Sequence, residues 1–339
     1  MNGRANIREI AEMAGVSTAT VSRALNNHTL VNEATRKRVM QISRKYNYRT
    51  KRVRQPEVDR RTKVVGLLLP DLADEYYSSI ISGIDVEAKH YKHRLLIQSF
   101  HGDVEHLKQS LRYMESLNVD GLILMAPRLN IDLKSLLPEI SAPIVTLNMK
   151  GDLGGVGNFK VDNTQGVHAL IDHFVNKHQY RRIGMITGPT GNIDAEERSR
   201  GFYEAMEQHQ LELDPMLIVE GKFSVETGYY AFSRLLSLIN PPEAVFISND
   251  MMAIGAYEAA KNHHVKIGKD IAIGSFDDIY MAKLLTPALT SVHVPIAELG
   301  AKAFRYLEEV IKNGTNNGGY KEGFSTGLII RESCGCMAR

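Results

Sequence analysis

From Val64 onward, short runs of branched apolar residues alternate with stretches of helical periodicity. The runs are "VVGLLLPD", "HRLLIQSF", "VDGLILMAP", "APIVTLNM", "RIGMITGP", "MLIVEG", "AVFISND" and "IAIGSFDD". Strands that alternate with helices form βαβ units, which build mostly parallel sheets with helices on their faces. Residues 64–339 therefore form an α/β structure, and periodicity leaves open whether it is one barrel or two doubly wound lobes.

Polar residues follow several of these runs, among them Asp71, Asn148, Asp250 and Asp277. In open α/β sheets, ligands bind at the carboxyl ends of the strands, and a barrel places its site at strand ends as well. These side chains therefore predict a small-molecule site in either architecture.

The first 48 residues are predicted to be helical. Apolar residues recur at helical spacing until Gly15, which is typical of a helix end. Ser17 can cap a second helix, whose Val21 and Leu25 can face back onto the first helix. A third helix is predicted to open at Asn32.

This arrangement is typical of a helix-turn-helix, whose second helix enters the DNA major groove by its N-terminal end. Arg23 could contact guanine, and Thr18 or Ala19 could meet a thymine methyl group. Hydroxyl and basic side chains around them suit phosphate contacts. The predicted DNA-binding residues are Ser17, Thr18, Ala19, Thr20, Ser22, Arg23 and Asn26.

Charge is distributed unevenly along the chain. Residues 1–63 contain 15 Lys/Arg and 5 Asp/Glu, a balance of +10, whereas residues 64–339 contain 26 and 34, a balance of −8. A basic head on an acidic body indicates a polyanion partner for the head alone.

Other classes of protein are disfavoured. No run of about 18 apolar residues predicts a membrane span, and the opening residues have no apolar signal core, so a cytoplasmic protein is expected. The sequence has no P-loop and no "GxSxG" elbow, so neither an enzyme nor a cofactor is expected.

No metal site is expected either. Cys334 and Cys336 are too close in sequence for an unstrained disulfide, and two thiols alone cannot complete a zinc site. His168, His173 and His178 recur every five residues, which on an α-helix spreads them around the axis.

Five segments in order along the chain, "NIREIAEMAGVSTATVSRALNN", "VNEATRKRVMQISRKYNY", "ISNDMMAIGA", "IGSFDD" and "TGLIIRES", resemble the lac repressor (LacI/GalR) family of bacterial regulators. The resemblance implies a core like that of periplasmic sugar-binding proteins, with two lobes joined by crossing strands. It also implies a double-stranded operator that is pseudo-palindromic, a homodimer, and a small-molecule effector, most simply a sugar.

The family's base-reading positions correspond to Thr18, Ala19 and Arg23. Carboxylates, amides and Arg can pair with sugar hydroxyls while aromatic faces cover the ring. The residues that the resemblance assigns to the effector are Tyr76, Tyr77, Asn148, Asp162, Arg198, Phe223, Asn249 and Asp277.

Several effector assignments have a structural alternative. Tyr76 and Tyr77 open a helix, and one of them could simply belong to the core. Arg198 could form a surface ion pair with Glu196 or Glu197. Phe223 could belong to the core, and Asp277 could cap a turn.

The segment behind the third helix departs from the family pattern. Members usually have a hinge helix whose leucine wedges into the minor groove. Here Glu57, directly after Pro56, lies where that leucine belongs, and Thr50 replaces the usual proline. We therefore expect a helix-turn-helix domain at 1–48, a basic hinge or tether at 49–63 and the core at 64–339.

The expected function is that of a repressor controlled by a small sugar or glycoside. The alternatives are a regulator that responds to a purine, phosphosugar or phosphoprotein as corepressor, and, from another class, a sugar-binding protein or enzyme with a basic N-terminal extension.

Overall fold

The structure is a computed structural model that describes residues 7–25, 31–45, 61–127, 140–149, 156–314 and 320–337. The chain divides into two compact units, Met1–Arg60 and Arg61–Arg339. Asn26, Pro56 and Glu57 lie outside the described residues, so the predicted DNA contact at Asn26 and the predicted tether at Pro56-Glu57 stay predictions.

Three helices form the described part of the first unit: α1 Ile7–Ala14, α2 Thr18–Leu25 and α3 Glu33–Lys45. Gly15 takes a left-handed φ of 62°, which suits the tight turn between α1 and α2. Asn32 caps α3 by accepting a 2.8 Å hydrogen bond from the Thr35 amide, so the predicted start of the third helix is confirmed. Apolar side chains from all three helices close a small core, made of Ile10, Ala11, Ala14, Val21, Ala24, Val31 and Val39.

The second unit contains two six-stranded sheets, with orders β11-β5-β4-β3-β1-β2 and β12-β10-β9-β8-β6-β7. The strands of the first sheet are β1 Val64–Leu69, β2 Arg94–Ser99, β3 Gly121–Met125, β4 Ile144–Leu147, β5 Gly157–Val161 and β11 Lys321–Phe324. Those of the second sheet are β6 Ile183–Thr187, β7 Ile218–Glu220, β8 Ala244–Ile247, β9 Ala272–Asp277, β10 Thr290–His293 and β12 Gly327–Ile329. All eight predicted apolar runs are strands.

Neighbouring strands are parallel throughout both sheets, except for the antiparallel pair β10 and β12. The described helices of this unit are α4 Glu75–His90, α5 Val104–Ser116, α6 Asn163–Asp172, α7 Ile193–Gln208, α8 Val225–Leu236, α9 Asp250–Asn262 and α10 Ile296–Asn313. A π-helical turn, His173–Lys177, continues α6, and 3-10 turns occupy Pro215–Leu217 and Tyr280–Lys283.

We call the part built on the first sheet the first lobe and the part built on the second sheet the second lobe. The chain passes between them three times: from β5 into α6, from β10 into α10, and from β11 into β12. Two open sheets joined by three crossings confirm the two-lobed architecture and exclude a barrel.

Residues 61–63, which the sequence assigned to the tether, are hydrogen-bonded to the first lobe. The carboxylate of Asp120 accepts hydrogen bonds from the backbone amides of Thr62, at 2.9 Å, and Lys63, at 3.0 Å. The guanidinium of Arg61 donates to the carbonyl of Ile311 at 3.2 Å. The ordered core therefore includes Arg61, slightly earlier than the boundary predicted at residue 64.

Within the described residues, no helix is both long and apolar enough to cross a membrane.

Candidate functional site

A cleft between the two lobes measures about 410 Å³ out to its open mouth. The described residues that line it are Asp74, Tyr76, Tyr77, Met125, Pro127, Asn192, Asp194, Arg198, Phe223, Asn249 and Asp277.

The lining side chains come from the carboxyl ends of parallel strands, as expected for an open α/β sheet. Asp277 is the last residue of β9, and Asn249 follows β8. Asp71, also predicted from a strand end, is exposed and accepts hydrogen bonds from the amides of Leu72 and Ala73 in its own loop. It is not among the lining residues.

Arg198 on α7 is the centre of a buried polar network. Its guanidinium donates to the carbonyl of Ser248 at 2.6 Å and to the Asn163 side chain at 2.9 Å, and it lies 3.0 Å from the carboxylate of Asp277. The guanidinium carbon is 3.9 Å from the centre of the Phe276 ring, a cation–π contact. With 3% of its surface exposed, Arg198 does not form the surface ion pair that the sequence left open.

Three buried carboxyl groups surround this network. Desolvation raises the pKa of Asp277 to about 8 against the opposing attraction of Arg198, and it also raises the pKa of Asp194. Burial raises the pKa of Asp250 to about 6, although its carboxylate accepts hydrogen bonds from Ser291 and from the amide of Ile279. Asp194 and Asp277 line the cleft and can accept or donate hydrogen bonds to a ligand, whereas Asp250 is not among the described lining residues.

Aromatic rings provide the apolar side of the cleft. Tyr76 and Tyr77 open α4 and meet edge to face with their ring centres 5.6 Å apart. Burial and nearby carboxylates raise the pKa of both tyrosines, so their hydroxyls stay protonated donors. The ring of Phe223 lies over Gly188, where a side chain would collide with it.

Two amide side chains cap helices at the cleft. Asn249 caps α9 by accepting from the Met252 amide at 3.0 Å, and its amide nitrogen donates to the carbonyl of Phe223 at 3.3 Å. Asn192 caps α7 by accepting from the Ala195 amide at 3.1 Å. Both caps orient the helix N-termini and their residues toward the ligand space.

The structure does not bring all predicted effector residues to the cleft. Asn148 accepts from the amide of Val161 and donates to the hydroxyl of Tyr76, so it supports Tyr76 from behind. Asp162 caps α6 by accepting from the amide of Gln165 at 3.0 Å. Neither is among the lining residues, and each has a structural role in the described part of the chain.

Sequence reasoning missed five lining residues: Asp74, Met125, Pro127, Asn192 and Asp194. A signal was present for Asp194, because it lies four residues before Arg198 and therefore one helical turn away on the same face. Asp74 and Asn192 could have been recognised as N-caps at strand-to-helix connections, where an α/β sheet builds its sites.

In the first unit, α2 presents an exposed face that includes Thr18, Ala19 and Arg23. Ser17 lies just before the helix, and its hydroxyl accepts from the amide of Thr20 and bonds the Thr20 hydroxyl at 2.9 Å. Ser17 and Thr20 therefore stabilise the start of the helix whose exposed face carries the predicted base contacts.

Outside the cleft, His173 and His178 lie together, with their Nε2 atoms 3.3 Å apart. The expectation that these histidines spread around a helix was wrong for this pair. The segment His173–Lys177 is π-helical, and hydrogen bonding between residues five apart brings positions 173 and 178 to one side. His168, on the α-helical part, instead lies 3.4 Å from Glu204.

Comparisons with known proteins match both units. The family of bacterial regulatory proteins, lacI family, matches residues 6–51, and the periplasmic binding protein-like domain matches residues 171–334. The chain is 32% identical to the ribose operon repressor of Haemophilus influenzae, over 92% of this chain and 94% of that protein. The chain belongs to the lacI family. The Escherichia coli repressor CytR is 31% identical, over 97% and 96% of the two chains.

Solved structures of this family share the fold. The transcriptional regulator CelR–cellobiose complex superposes with a TM-score of 0.75 at 26% identity, covering 97% of this chain and all of that one. The lac repressor dimer bound to operator and an anti-inducer has a TM-score of 0.72 at 23% identity, covering 98% and 99%. The relatives are transcription regulators rather than enzymes.

Proposed function

We propose that this lacI-family member is a cytoplasmic, homodimeric repressor whose affinity for a pseudo-palindromic operator is controlled by a small sugar or glycoside. The observation that carries the proposal is the cleft in which Arg198 and Asp277 face the rings of Tyr76 and Phe223. Charged hydrogen-bonding groups opposite aromatic faces suit a polyhydroxylated ring, which has polar edges and apolar faces.

Charge in the cleft argues against phosphorylated ligands. Among its described lining residues, Arg198 is the one cation, and it is already paired with Asp277, while Asp74 and Asp194 add two carboxyl groups. A phosphosugar or a phosphoprotein would bring negative charge toward these groups at a desolvation cost. A neutral sugar avoids that repulsion, and a purine is the remaining alternative.

Control of DNA binding requires that the effector prefer one arrangement of the lobes. The lobes touch across the cleft mouth, where the side chain of Glu75 in the first lobe accepts a hydrogen bond from the amide of Tyr280 in the second. A ligand held by both lobes would shift the equilibrium between lobe arrangements that make this contact and arrangements that break it. In a dimer, such a change alters the spacing of two reading helices on a symmetric site.

The decisive experiment compares the full chain with a chain that lacks residues 1–60, so that the core from Arg61 onward stays intact. DNA binding is measured by fluorescence anisotropy on selected operators, and ligand binding by a thermal-shift screen of sugars, glycosides and purines, because a ligand that binds the native state raises its stability. We expect the deletion to abolish DNA binding and to keep the ligand shift. Undiminished DNA binding by the truncated chain would overturn the proposal.

A matched pair of variants places the ligand. Asp277→Asn keeps the shape of the side chain and should remove the sugar-dependent shift in unfolding temperature. Asp71→Asn changes an exposed carboxylate outside the cleft and should leave that shift unchanged. Sedimentation equilibrium checks the dimer, and a monomer at operator-saturating concentrations would contradict that part of the proposal.

A further inference from the structure

Four side chains with metal-binding atoms converge where the C-terminal tail meets the end of the α6 helix. They are His173, His178, Cys334 and Cys336, whose ligand atoms all lie within 4.8 Å of one another. The Nε2 atom of His173 is 3.3 Å from the sulfur of Cys334 and 3.7 Å from that of Cys336, and the Nε2 atom of His178 is 3.4 Å from Cys336. The two cysteines are not joined by a disulfide.

These separations match the edges of a tetrahedron around a zinc ion. With Zn–S bonds of about 2.3 Å and Zn–N bonds of about 2.0–2.1 Å, tetrahedral geometry separates two nitrogens by about 3.3 Å and a nitrogen from a sulfur by about 3.6 Å. The two histidine nitrogens are 3.3 Å apart, and three of the four nitrogen–sulfur distances are 3.3, 3.4 and 3.7 Å. The fourth, from His178 to Cys334, and the distance between the two sulfurs lie within 4.8 Å.

Two local features of the chain build this geometry. An α-helix turns by about 100° per residue, which would set residues five apart about 140° away from each other. The π-helical turn His173–Lys177 has more residues per turn, so it brings positions 173 and 178 to the same side of the helix. On the tail, Gly335 between the two cysteines takes a φ of 96°, and a side chain there would lie 2.8 Å from the hydroxyl of Tyr180.

The tail is fixed in register beside the second sheet. The hydroxyl of Ser333 donates to the carbonyl of Ile273 at 2.7 Å and accepts from the amide of Thr290 at 2.8 Å. Tyr180 donates to the carbonyl of Cys334 and stacks on the His178 ring, with centres 5.3 Å apart and planes 11° apart. The ligand atoms are therefore held by packed neighbours rather than by chance proximity.

We propose that His173, His178, Cys334 and Cys336 bind one Zn²⁺ ion in a closed structural site. Two thiolates and two imidazoles are the ligand set that zinc takes in tetrahedral protein sites, and four protein ligands leave no position for substrate water. The ion would bind as the two thiols lose their protons, with no change of redox state.

The site would clamp the tail onto the second lobe near the start of β9, where Ser333 bonds Ile273, whereas the cleft residue Asp277 is the last residue of that strand. Two residues before Ser333, Arg331 donates to the carboxylate of Asp278 at 2.7 Å, and Asp278 follows the cleft residue Asp277. Zinc would therefore stabilise a tail segment that also contacts the residue after Asp277.

The test uses the full-length chain, purified under reducing conditions without chelator. We expect about one zinc per chain by elemental analysis. Replacing zinc with Co²⁺ should give the visible bands of a tetrahedral ion and a thiolate-to-cobalt charge-transfer band, which only these residues can supply because the chain has two cysteines. Zinc should also protect both thiols from a thiol reagent and raise the unfolding temperature.

Matched variants separate this site from incidental binding. Cys334→Ser, Cys336→Ser and His178→Asn should each lower zinc affinity by more than the 10- to 100-fold that loss of a supporting hydrogen bond costs. His168→Asn removes a histidine of the same helix that lies outside the cluster, so it should leave the zinc affinity unchanged. Three outcomes would overturn the proposal. The wild-type chain could fail to bind added zinc, or the anaerobically purified protein could contain a disulfide between the two cysteines. The double variant Cys334→Ser/Cys336→Ser could also retain as much zinc as the wild-type chain.

Discussion

The guanidinium of Arg198 lies 3.0 Å from the carboxylate of Asp277 and joins helix α7 to the end of strand β9. Arg198 is buried, the side chain of Asp277 is 9% exposed, and both residues belong to the second lobe. The charged half of the cleft is therefore assembled within one lobe, and the first lobe adds its tyrosines and Asp74 when the lobes meet. A ligand held between them links the two lobes.

Breaking this ion pair should destabilise the protein more than removing it entirely. At about pH 9, above the pKa of about 8 of Asp277, Arg198→Met leaves the Asp277 carboxylate buried without its partner, and we expect the free energy of unfolding to fall by about 3–5 kcal/mol. The double variant Arg198→Met/Asp277→Asn should lose less than the sum of the single losses, with a coupling of about 0.5–3 kcal/mol. Urea denaturation of the four proteins measures this coupling, and strictly additive losses would contradict it.

The carboxyl group of Asp277 should make stability depend on pH. Burial raises its folded-state pKa to about 8, above its value in an unfolded chain of about 3.9. The folded state therefore holds the proton more tightly, and its contribution to stability is full below about pH 4 and is lost as pH rises toward 8.

Comparison with Asp277→Asn isolates this effect from the other titrating groups. Between pH 5 and 8 the wild-type chain should lose stability relative to the variant by up to about 1.4 kcal/mol per pH unit. Urea unfolding at each pH measures the difference, and a difference that stays constant would show that Asp277 does not titrate in this range.

The exposed face of α2 should read DNA sequence. Arg23→Ala is expected to relax preference at one base position by about 1–3 kcal/mol, because one base-edge contact is lost. Lys37→Ala, on the exposed face of α3, should weaken binding evenly across sequences and reduce the salt dependence. Binding to a library of single-base operator variants distinguishes these patterns, and equal weakening by both changes would refute the base-reading role of Arg23.

The hydroxyl of Ser17 should stabilise the reading helix. It accepts from the amide of Thr20 at 3.1 Å, so Ser17→Ala is expected to cost about 0.5–2 kcal/mol in local stability. Hydrogen exchange at the first amides of α2 should accelerate by about 2- to 30-fold. Thr18→Ala serves as an exposed control, and equal acceleration in both variants would argue against a capping role.

Asp120 should hold the start of the core against proteolysis. Its carboxylate accepts from the amides of Thr62 and Lys63, so Asp120→Ala leaves those donors without a partner. We expect trypsin to cleave after Lys63 roughly 10-fold faster, in line with the loss of hydrogen bonds to a charged group. Asp120→Asn keeps one acceptor oxygen, so its cleavage rate should lie between those of the wild-type chain and Asp120→Ala. A cleavage rate that is unchanged in Asp120→Ala would contradict the anchoring role.

Much of the fold could be predicted from apolar runs, because each becomes a strand. Strands β5, β10, β11 and β12 were not found, since "GNFKV", "TSVH", "KEGF" and "GLI" are short or polar at sheet edges and crossings. Periodicity describes one segment at a time, so it could not decide between a barrel and two lobes. The family resemblance supplied that decision.

The family resemblance assigned Arg198 and Asp277 to the effector, and the structure shows the contacts that hold them at the cleft. Asn148 and Asp162 have side chains suited to a sugar, yet their hydrogen bonds serve Tyr76, Val161 and the start of α6. The histidines were misjudged because an α-helix was assumed where the chain forms a π-helical turn. A change of helix type is set by packing around the segment, which sequence spacing alone does not report.

The three crossings have a consequence for the order in which the protein is made. Each sheet takes an edge strand from residues 321–329, so neither lobe is complete until that part of the chain has left the ribosome. The helix-turn-helix, whose core is closed by residues 10–39, needs nothing synthesised later. During translation the helix-turn-helix domain can therefore fold before the ligand cleft is complete. A nascent chain at that stage would carry a folded DNA-binding domain that an effector cannot yet control.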